Sequence, residues 1–541
     1  MSDLYYFKPE WIQPTTERLS TDICIYGATS AGIAAAITAR REGKDVVVLQ
    51  PGKFVGGLTT GGLGWTDYGR KHVIGGISRE FYKRLGEKYG KDEEFQFEPS
   101  VASAVYAEML AEAGVSVRLW QYLDSAVVAN GRILQITLLG GLQVAAKVFI
   151  DCSYEGDLMA KAGVSYHVGR EGNATYNETL NGVYVGDKHQ FSHPVDPYVV
   201  EGDASSGLLP GISSEDMTTK LGQGDRCIQA YNFRMCMTDD PDLKIPWSKP
   251  EGYDEKQYVL AGRWLRGQKD KYNDLLPGDG EDPTVPMKFD ALPNKTPGGY
   301  FKTDTNNHGA FSSDFIGQNH NWPEASYQER EKLFQRHVTY QKGFYWYVAN
   351  SPEVPERYRV AFSRWGLPKD EFTQTSNWPH QLYVRESRRM IGQHVITEHD
   401  CRGTRVSDDP IGMGSYGMDS HNCCRFVKIE NGKARVVNEG DVQVPAVAYR
   451  VPYRSITPKR SECSNLLVPV CFSASHIAYG SARMEPVFMV LGQSAAVAAC
   501  LAIDGHVAVQ DVKYAKLKQE LLEAEQVLGL APDRRTPEAV G

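Results

Sequence analysis

A short apolar strand, a glycine turn, an alanine-rich helix and a second apolar strand follow one another between residues 22 and 50. Residues 22–26 form a short apolar run that ends at Gly27, and residues 33–41 favour a helix that Gly43 closes. Residues 46–49 are an uninterrupted β-branched and apolar run, as expected of a buried parallel strand. The succession predicts a βαβ unit and a Rossmann-like α/β fold.

The turn between the first strand and the helix has the spacing of a dinucleotide-binding loop. Its pattern is G-x-G-x-x-G, with Thr29 in place of the middle glycine. Such a turn aims backbone N–H groups at a pyrophosphate, although the β-carbon of Thr29 restricts close approach. The alternative is a glycine turn that binds no ligand. The candidate cofactor-binding residues of this turn are Gly27, Thr29, Ser30, Ala31 and Gly32.

A second glycine-rich segment follows the second strand directly. Gln50 stands where a ribose-binding carboxylate is usual, and its amide can still accept a hydrogen bond from a ribose hydroxyl. The 25 residues from Gly52 to Gly76 contain nine glycines, which a plain nicotinamide-binding unit does not need. A larger cofactor, whose ring lies against backbone, would use them, and this favours FAD over NAD. The candidate contacts in this segment are Gly56, Gly57, Leu58, Thr59 and Thr60.

Composition excludes several classes of protein. The net charge of −8 without a long basic run argues against nucleic-acid binding. The longest apolar stretch, residues 487–503, is shorter than the roughly 20 residues of a membrane span, so no membrane association is predicted. The first 13 residues lack the pattern of a secretory signal, and the ten cysteines include no C-x-x-C. These features predict a cytoplasmic protein. They leave open whether a signal peptide was removed beforehand. They also leave open whether the protein forms a homo-oligomer.

The amino-acid composition and secondary-structure pattern of the chain change twice. Beyond about residue 163 it becomes rich in Tyr, Trp, Pro, Asn and His, and strand-then-helix character returns after residue 450. We therefore predict a FAD-binding domain in two parts, residues 20–165 and 451–510, interrupted by an α+β substrate domain over residues 166–450. A C-terminal helix and tail occupy residues 511–541.

Several longer motifs resemble a known family. The runs at residues 56–64, 149–158 and 473–486 are similar to those of the FAD-dependent oxidoreductase family of the glutathione-reductase-like flavoprotein superfamily, to which fumarate reductase flavoproteins are distantly related. Further matches lie at residues 228–234, 302–307, 382–390 and 419–421, so the resemblance extends from about residue 20 to 510. It implies FAD as cofactor and places Asp157 near it. The alternative for Asp157 is an Asx-type turn.

The last motif opens an apolar helix. Pro486 suits its first turn, and Glu485 stands beside its N-terminus. A helix N-terminus aimed at the flavin pyrimidine edge would stabilise negative charge there. The backbone N–H groups of Val487 and Phe488 are the candidates for that contact, and an ordinary capped core helix is the alternative.

Oxidation of an alcohol or amine by a flavin requires hydride delivery and a base for the other proton. Histidine is the usual base near neutral pH, and the motifs suggest His476 and His421. Arg385 is the candidate for holding substrate, with Arg388 and Arg389 nearby, unless these arginines form internal salt bridges. The scattered His, Cys and Asp side chains match no standard metal pattern, so no metal is predicted.

The sequence thus predicts an FAD-dependent dehydrogenase or oxidase that oxidises a C–H next to O or N of a small polar substrate. The aromatic and amide side chains of the middle segment would suit a sugar-like molecule. The electron acceptor is unknown. Two alternatives stay open. One is a reductase of an activated alkene, in which the arginine and histidine side chains together supply the acid and bind the substrate carboxylate. The other is a flavin-binding protein without catalytic activity.

Overall fold

The computed structural model describes residues 4–268 and 290–530. Within this part of the chain, the largest sheet has seven strands. They are β1 (Arg18–Tyr26), β2 (Val46–Leu49), β3 (Val117–Arg118), β4 (Leu123–Ala129), β5 (Arg132–Leu138), β6 (Gln143–Asp151) and β7 (Leu466–Leu467). The sheet confirms the predicted strands at residues 22–26 and 46–49.

Five of these strands are parallel and lie in the order β3-β2-β1-β6-β7. The hairpin β4–β5 pairs antiparallel with the beginning of β6. In an open α/β sheet, ligands bind where the strand order reverses, outside the carboxyl ends of the strands. Here that point lies between β1 and β6, and the turns after these two strands therefore mark the expected ligand crevice.

Twelve helices accompany the strands in the described residues. They are α1 (Ser30–Arg41), α2 (Gly76–Lys88), α3 (Pro99–Glu112), α4 (Asp157–Lys161), α5 (Asn173–Tyr176), α6 (Val259–Arg266), α7 (Tyr327–Asn350), α8 (Glu356–Arg364), α9 (Glu398–Cys401), α10 (His476–Ala482), α11 (Glu485–Asp504) and α12 (Tyr514–Glu523). The predicted C-terminal helix corresponds to α12, and residues 531–541 of the predicted tail lie outside the described residues.

Helices α1 and α11 pack against each other although they come from opposite ends of the chain. A β-carbon on Gly492 of α11 would lie 2.2 Å from the carbonyl oxygen of Ala31, so only glycine allows this approach. Helix α11 is long and apolar enough to cross a membrane, but 94% of its most apolar window is buried inside the protein. It has the character of a core helix whose small residues permit close helix packing.

The segment between β6 and β7 forms small antiparallel sheets around the long helix α7. A three-stranded sheet joins Met235–Thr238, Phe301–Thr305 and Asp290–Lys295. The two-stranded pairs are Tyr166–His167 with Arg389–Met390, Tyr198–Val200 with Asp203–Leu208, Lys244–Ile245 with Leu367–Pro368, Pro410–Gly414 with Tyr449–Pro452, Met418–Ser420 with Val442–Val444, and Cys424–Glu430 with Lys433–Glu439.

One hydrophobic cluster contains Ile25 of β1, Ala35 of α1 and Phe344 of α7 together. The core is therefore continuous between the parallel sheet and the intervening segment. The domain boundaries at residues 165 and 450 stay predictions.

Candidate functional site

The turn between β1 and α1 can be formed only with glycine at two positions. Gly27 has φ +96°, and a β-carbon there would lie 2.7 Å from the backbone carbon of Cys152, which follows β6. A β-carbon on Gly32 would lie 1.9 Å from the Gly27 carbonyl oxygen. The turn is thus pressed against the end of β6, at the point where the strand order reverses.

Thr29, which stands in place of the middle glycine, makes two hydrogen bonds through its hydroxyl. It is the N-cap of α1: its Oγ1 accepts the Gly32 N–H at 3.4 Å and donates to the Cys152 carbonyl at 2.8 Å. The side chain is therefore held towards β6 by its own hydrogen bonds. The N–H groups of Ser30 and Ala31 in the first helical turn have no intrahelical acceptor and are suited to an anion.

Gln50 reaches the same turn from the end of β2. Its Oε1 accepts the backbone N–H of Ala28 at 2.7 Å. The side chain therefore lies beside the dinucleotide turn, where the sequence predicts a ribose contact, and its amide nitrogen remains a donor for such a contact.

The second glycine-rich segment lies next to the first. The Gly56 N–H donates to the Ala28 carbonyl at 2.8 Å, and both Gly56 (φ +105°) and Gly57 (φ +58°) adopt left-handed backbone conformations. A β-carbon on Gly57 would lie 2.3 Å from the Tyr154 hydroxyl oxygen, which accepts the Leu58 N–H at 2.9 Å. Thr60 stabilises the turn by donating to the Val55 carbonyl.

Glu485, at the first position of α11, joins these loops. Its carboxylate accepts hydrogen bonds from the hydroxyls of Ser30, Thr59 (2.9 Å) and Tyr154 (2.7 Å). The side chain is buried, and burial raises its pKa. The structure thus brings together three predicted residues, Ser30, Thr59 and Glu485, and adds Tyr154. Tyr154 was missed as a site residue although it lies inside the motif at residues 149–158.

Helix α11 begins at Glu485 with Pro486 in its first turn, as predicted. The Phe488 N–H donates to the Met484 carbonyl at 2.9 Å and is therefore committed within the helix. The predicted backbone contact of α11 thus narrows to the N–H of Val487.

Asp157, which the sequence places near the cofactor, is held by two arginines. Its two carboxylate oxygens accept hydrogen bonds from Arg330 (2.6 and 2.9 Å) and Arg388 (2.8 Å). Burial alone would raise the pKa of Asp157, but these two guanidinium groups lower it to about 2. Asp157 therefore connects the start of α4 to α7 and to the segment at residues 385–389. Its contact with the cofactor stays a prediction.

His476 is held on both ring nitrogens. Its Nδ1 lies 2.9 Å from both carboxylate oxygens of Glu386, and its Nε2 lies 2.9 Å from the hydroxyl of Ser420. All three side chains are buried. This arrangement fixes the imidazole at the start of α10, and the predicted catalytic role of His476 stays a prediction.

His421 lies in a second polar cluster, with Asp314 and Asp419. Its Nε2 is held less tightly than its Nδ1. Its Nδ1 is 2.8 Å from Asp314 Oδ2, whereas its Nε2 is 3.5 Å from Asp419 Oδ2, beyond a good hydrogen bond. Burial would raise the pKa of Asp419, but His421 and Arg483 lower it to about 2. The histidine therefore stands between two carboxylates. Asp419 lies in the motif at residues 419–421, whereas Asp314 carries no sequence signal of its own.

Arg385 is not a free substrate clamp. Its guanidinium donates to the Ala230 carbonyl and to Asn232, and it forms an ion pair of 2.9 Å with Asp314. It is fully buried over the ring of Tyr383. The ion pair with Glu386 that the sequence suggested is absent for Arg385, since Glu386 pairs with His476 instead. Arg385 thus acts as a buried partner of Asp314.

Two further buried arginines, Arg234 and Arg483, are also paired with carboxylates. Arg234 binds Asp304 and lies 3.3 Å from Asp67, and Arg483 lies 3.3 Å from Asp419. The side chains of Asp67 and Asp419 remain 25% and 20% exposed within this otherwise buried region. Each of these two carboxylates therefore remains partly accessible to solvent.

The glycine-rich segment leads from the dinucleotide loop into this cluster. A β-carbon on Gly62 would lie 2.5 Å from the Arg234 carbonyl oxygen, and the Gly64 N–H donates to Asp304. The residues present thus fit an extended dinucleotide cofactor: two glycine-lined loops and two helix N-termini at one end, and a polar cluster with a histidine at the other.

Comparison with known proteins agrees with this geometry. Residues 22–521 match the model of the family described as FAD dependent oxidoreductase. No curated protein matches.

Solved structures show partial likeness only. L-proline dehydrogenase from P. horikoshii shares 14% identity over 29% of this chain and 59% of its own, with a TM-score of 0.24. L-amino acid deaminase from Proteus vulgaris shares 14% identity over 30% of this chain and 55% of its own, with a TM-score of 0.23. The match thus spans less than two thirds of these proteins. On the family match over most of its length, the chain belongs to the FAD-dependent oxidoreductase family, and its cofactor is FAD.

Proposed function

We propose that this FAD-dependent oxidoreductase oxidises a C–H bond next to oxygen or nitrogen in a small, hydroxyl-rich, sugar-like substrate. FAD supplies the acceptor of the hydride, and oxygen, a quinone or a carrier protein reoxidises it. The observation that carries the proposal is the placement of His421 between Asp314 and the partly exposed Asp419.

His421 is the proton acceptor in this proposal. A hydrogen bond from Nδ1–H to Asp314 fixes the tautomer in which Nε2 carries a lone pair. A substrate hydroxyl at Nε2 can then lose its proton as the C–H bond breaks. The resulting imidazolium lies between two carboxylates, one of which, Asp419, has a pKa of about 2 and is ionised at neutral pH. The site thus stabilises the charge that proton transfer creates.

The charges of the cluster favour a substrate that donates hydrogen bonds. Arg234, Arg385 and Arg483 each have a carboxylate partner already. A substrate carboxylate would have to compete with these buried ion pairs, which disfavours the alternative of an unsaturated-acid reductase.

The partly exposed groups around His421 supply acceptors and an aromatic side chain for a sugar. The partly exposed carboxylates of Asp67 and Asp419 can each accept hydrogen bonds from hydroxyls. Tyr416 lies near both, since the pKa of its hydroxyl is raised first by Asp67, then by burial and by Asp419. A sugar ring or a polyol chain matches this set of groups better than an anion does.

The test is anaerobic mixing of the oxidised holoenzyme with sugars, polyols and amines, while the visible flavin band is recorded. A sugar or polyol should bleach the band at a rate that saturates with concentration. The same holoenzyme, reduced chemically, is then mixed with unsaturated dicarboxylic acids. Reoxidation by such an acid, with no bleaching by any sugar, polyol or amine, would instead identify the alkene reductase.

A variant pair sharpens this test. Asp419→Asn removes the charge beside His421 and should raise KM for the substrate that bleaches the flavin. Asp408→Asn alters an exposed carboxylate that pairs with Arg454, and it should leave KM unchanged. Equal KM values in the two variants would contradict the placement of substrate at Asp419.

A further inference from the structure

The carboxyl group of Glu485 occupies an unusual place for an anion. Its Oε2 lies 2.5 Å from the hydroxyl oxygen of Ser30, the first residue of α1, and 2.9 Å from that of Thr59. Ser30 belongs to the turn whose N–H groups and helix N-terminus suit the FAD pyrophosphate. A buried carboxylate and a bound pyrophosphate would therefore both compete for the donors of one turn.

The hydroxyl of Ser30 has a single proton to donate. In the structure it faces Glu485. If Ser30 donates to a phosphate oxygen instead, its close contact with Glu485 persists only when the carboxyl group carries a proton and donates it to Ser30 Oγ. The hydrogen-bond chain then runs from Glu485 through Ser30 to the phosphate, with every proton used once.

Among the described residues, those that interact with Glu485 supply no opposing charge. The titratable groups that interact with it are the hydroxyls of Tyr82 on α2, Tyr106 on α3 and Tyr154 after β6. Burial raises the pKa of all three tyrosines, so they stay neutral. Burial also raises the pKa of Glu485, against the effect of its three hydroxyl donors. An added negative charge nearby raises the cost of the ionised form further.

We propose that Glu485 takes up one proton from solvent when FAD binds. The residue is a carboxylate in the FAD-free protein above its own pKa and a carboxylic acid in the holoprotein. No bond other than that of the transferred proton changes. Because binding then consumes one proton, FAD affinity falls about tenfold per unit of pH above the pKa of the FAD-free state.

Calorimetry of the FAD-free, full-length protein tests this directly. FAD is titrated at about pH 8 in two buffers that differ in ionisation enthalpy, and the difference in heat gives the protons taken up. We expect about one proton per FAD at the alkaline end of the series. No uptake at any pH at which FAD binds would overturn the proposal. Substrate is absent throughout, so the outcome is independent of the reaction that the enzyme catalyses.

Variants assign the proton to Glu485. Glu485→Gln imitates the neutral carboxyl group, and it should take up no proton and bind FAD with an affinity that is flat with pH. The matched control is Glu331→Gln, which alters a partly buried carboxylate that accepts hydrogen bonds from the N–H groups of Tyr6 and Phe7. It should retain the uptake. Uptake that persists in Glu485→Gln would refute the assignment.

A third variant keeps the proposal testable if Glu485→Gln does not fold. Thr59→Val removes one hydrogen bond to the carboxylate and so raises the pKa of Glu485 in the FAD-free protein. The pH at which FAD affinity begins to fall should move upward. An unchanged pH dependence in Thr59→Val would count against Glu485 as the group that takes up the proton.

Discussion

His421 Nδ1 lies 2.8 Å from Asp314 Oδ2, and the other oxygen of Asp314 lies 2.9 Å from Arg385. The contact joins a loop after the strand Phe301–Thr305 to the end of the strand Met418–Ser420. It orients the imidazole and leaves Nε2 available for a substrate proton. Asp314 thus does for His421 what the buried carboxylate does for the histidine of a serine protease triad.

Replacement of the proposed base should slow flavin reduction by substrate. We expect His421→Asn to lower the rate by a factor of about 10² to 10⁴ while the visible spectrum of bound FAD is retained. The measurement is anaerobic stopped-flow reduction at a single pH. The variant His72→Asn, at an exposed residue of the 3₁₀ turn Lys71–Val73, is the control and should behave as the wild type. A rate within a factor of two of wild type would argue against His421.

Replacement of His476 should slow flavin reduction less than replacement of His421 does. Because both ring nitrogens of His476 are already bonded within the protein, we expect His476→Asn to reduce the rate through misplacement of Ser420 and Glu386. Anaerobic stopped-flow reduction of the two variants by the same substrate measures the difference. If instead His476→Asn slows reduction more than His421→Asn, the two roles are reversed.

Asp157 should matter for stability rather than for cofactor binding. Asp157→Asn leaves Arg330 and Arg388 buried without their carboxylate, and we expect a loss of about 3–5 kcal/mol in the free energy of unfolding. Chemical denaturation of the FAD-free protein measures it. Asp45→Asn, at an exposed ion pair with Arg40, should cost less than about 1 kcal/mol. A large loss of FAD affinity with unchanged stability would support the cofactor contact expected from the sequence.

Two substitutions at Thr29 distinguish the effect of its capping hydrogen bonds from the effect of its side-chain volume. Thr29→Val keeps the shape but loses both hydrogen bonds of the hydroxyl, and we expect a cost of about 1 kcal/mol in stability. Thr29→Gly should cost only a few tenths of a kcal/mol and should bind FAD at least as tightly, since glycine permits close approach of the pyrophosphate. Denaturation and FAD titration test both. A glycine variant that is less stable than the valine variant would contradict the capping role.

Burial of His337 should make the stability of the fold sensitive to acid. Burial lowers its pKa to about 4, and its ring nitrogen Nδ1 lies 2.7 Å from the Leu333 carbonyl. Between about pH 6.5 and pH 4 the unfolded chain binds more protons at this site, so stability falls as pH falls. His337→Gln can keep a donor to Leu333 without this titration. We expect the wild type to lose about 2 kcal/mol more than this variant between pH 7 and pH 5. Parallel losses in urea denaturation would exclude His337 as the cause.

The parts of the fold that were predictable are local in sequence. The strand, turn and helix around Gly27 lie within 30 residues, and their apolar periods and glycines are set by neighbours along the chain. The glycine turn located Ser30 and the family motifs located Thr59 and Glu485, but neither could show that these three residues bond to one another.

The remaining features depend on contacts between distant positions. Ser30 and Glu485 are 455 residues apart, and His421 and Asp314 are 107 apart. Asp157 illustrates the limit, because a carboxylate after a strand has the same local pattern whether it meets a cofactor or two arginines. Only the packing of α7 beside α4 supplies Arg330.

The pairing of β7 with β6 and of α11 with α1 has a consequence for biosynthesis. The ribosome makes β1, α1 and β6 first, yet the strand beside Phe149 and the helix against Ala31 emerge more than 300 residues later. At the rates of synthesis typical of cells, about 5–20 residues per second, the alanine-rich face of α1 is uncovered for roughly 20 seconds or longer. A nascent chain therefore cannot complete its cofactor pocket until α11 has been synthesised, and chaperones have that interval in which to engage it.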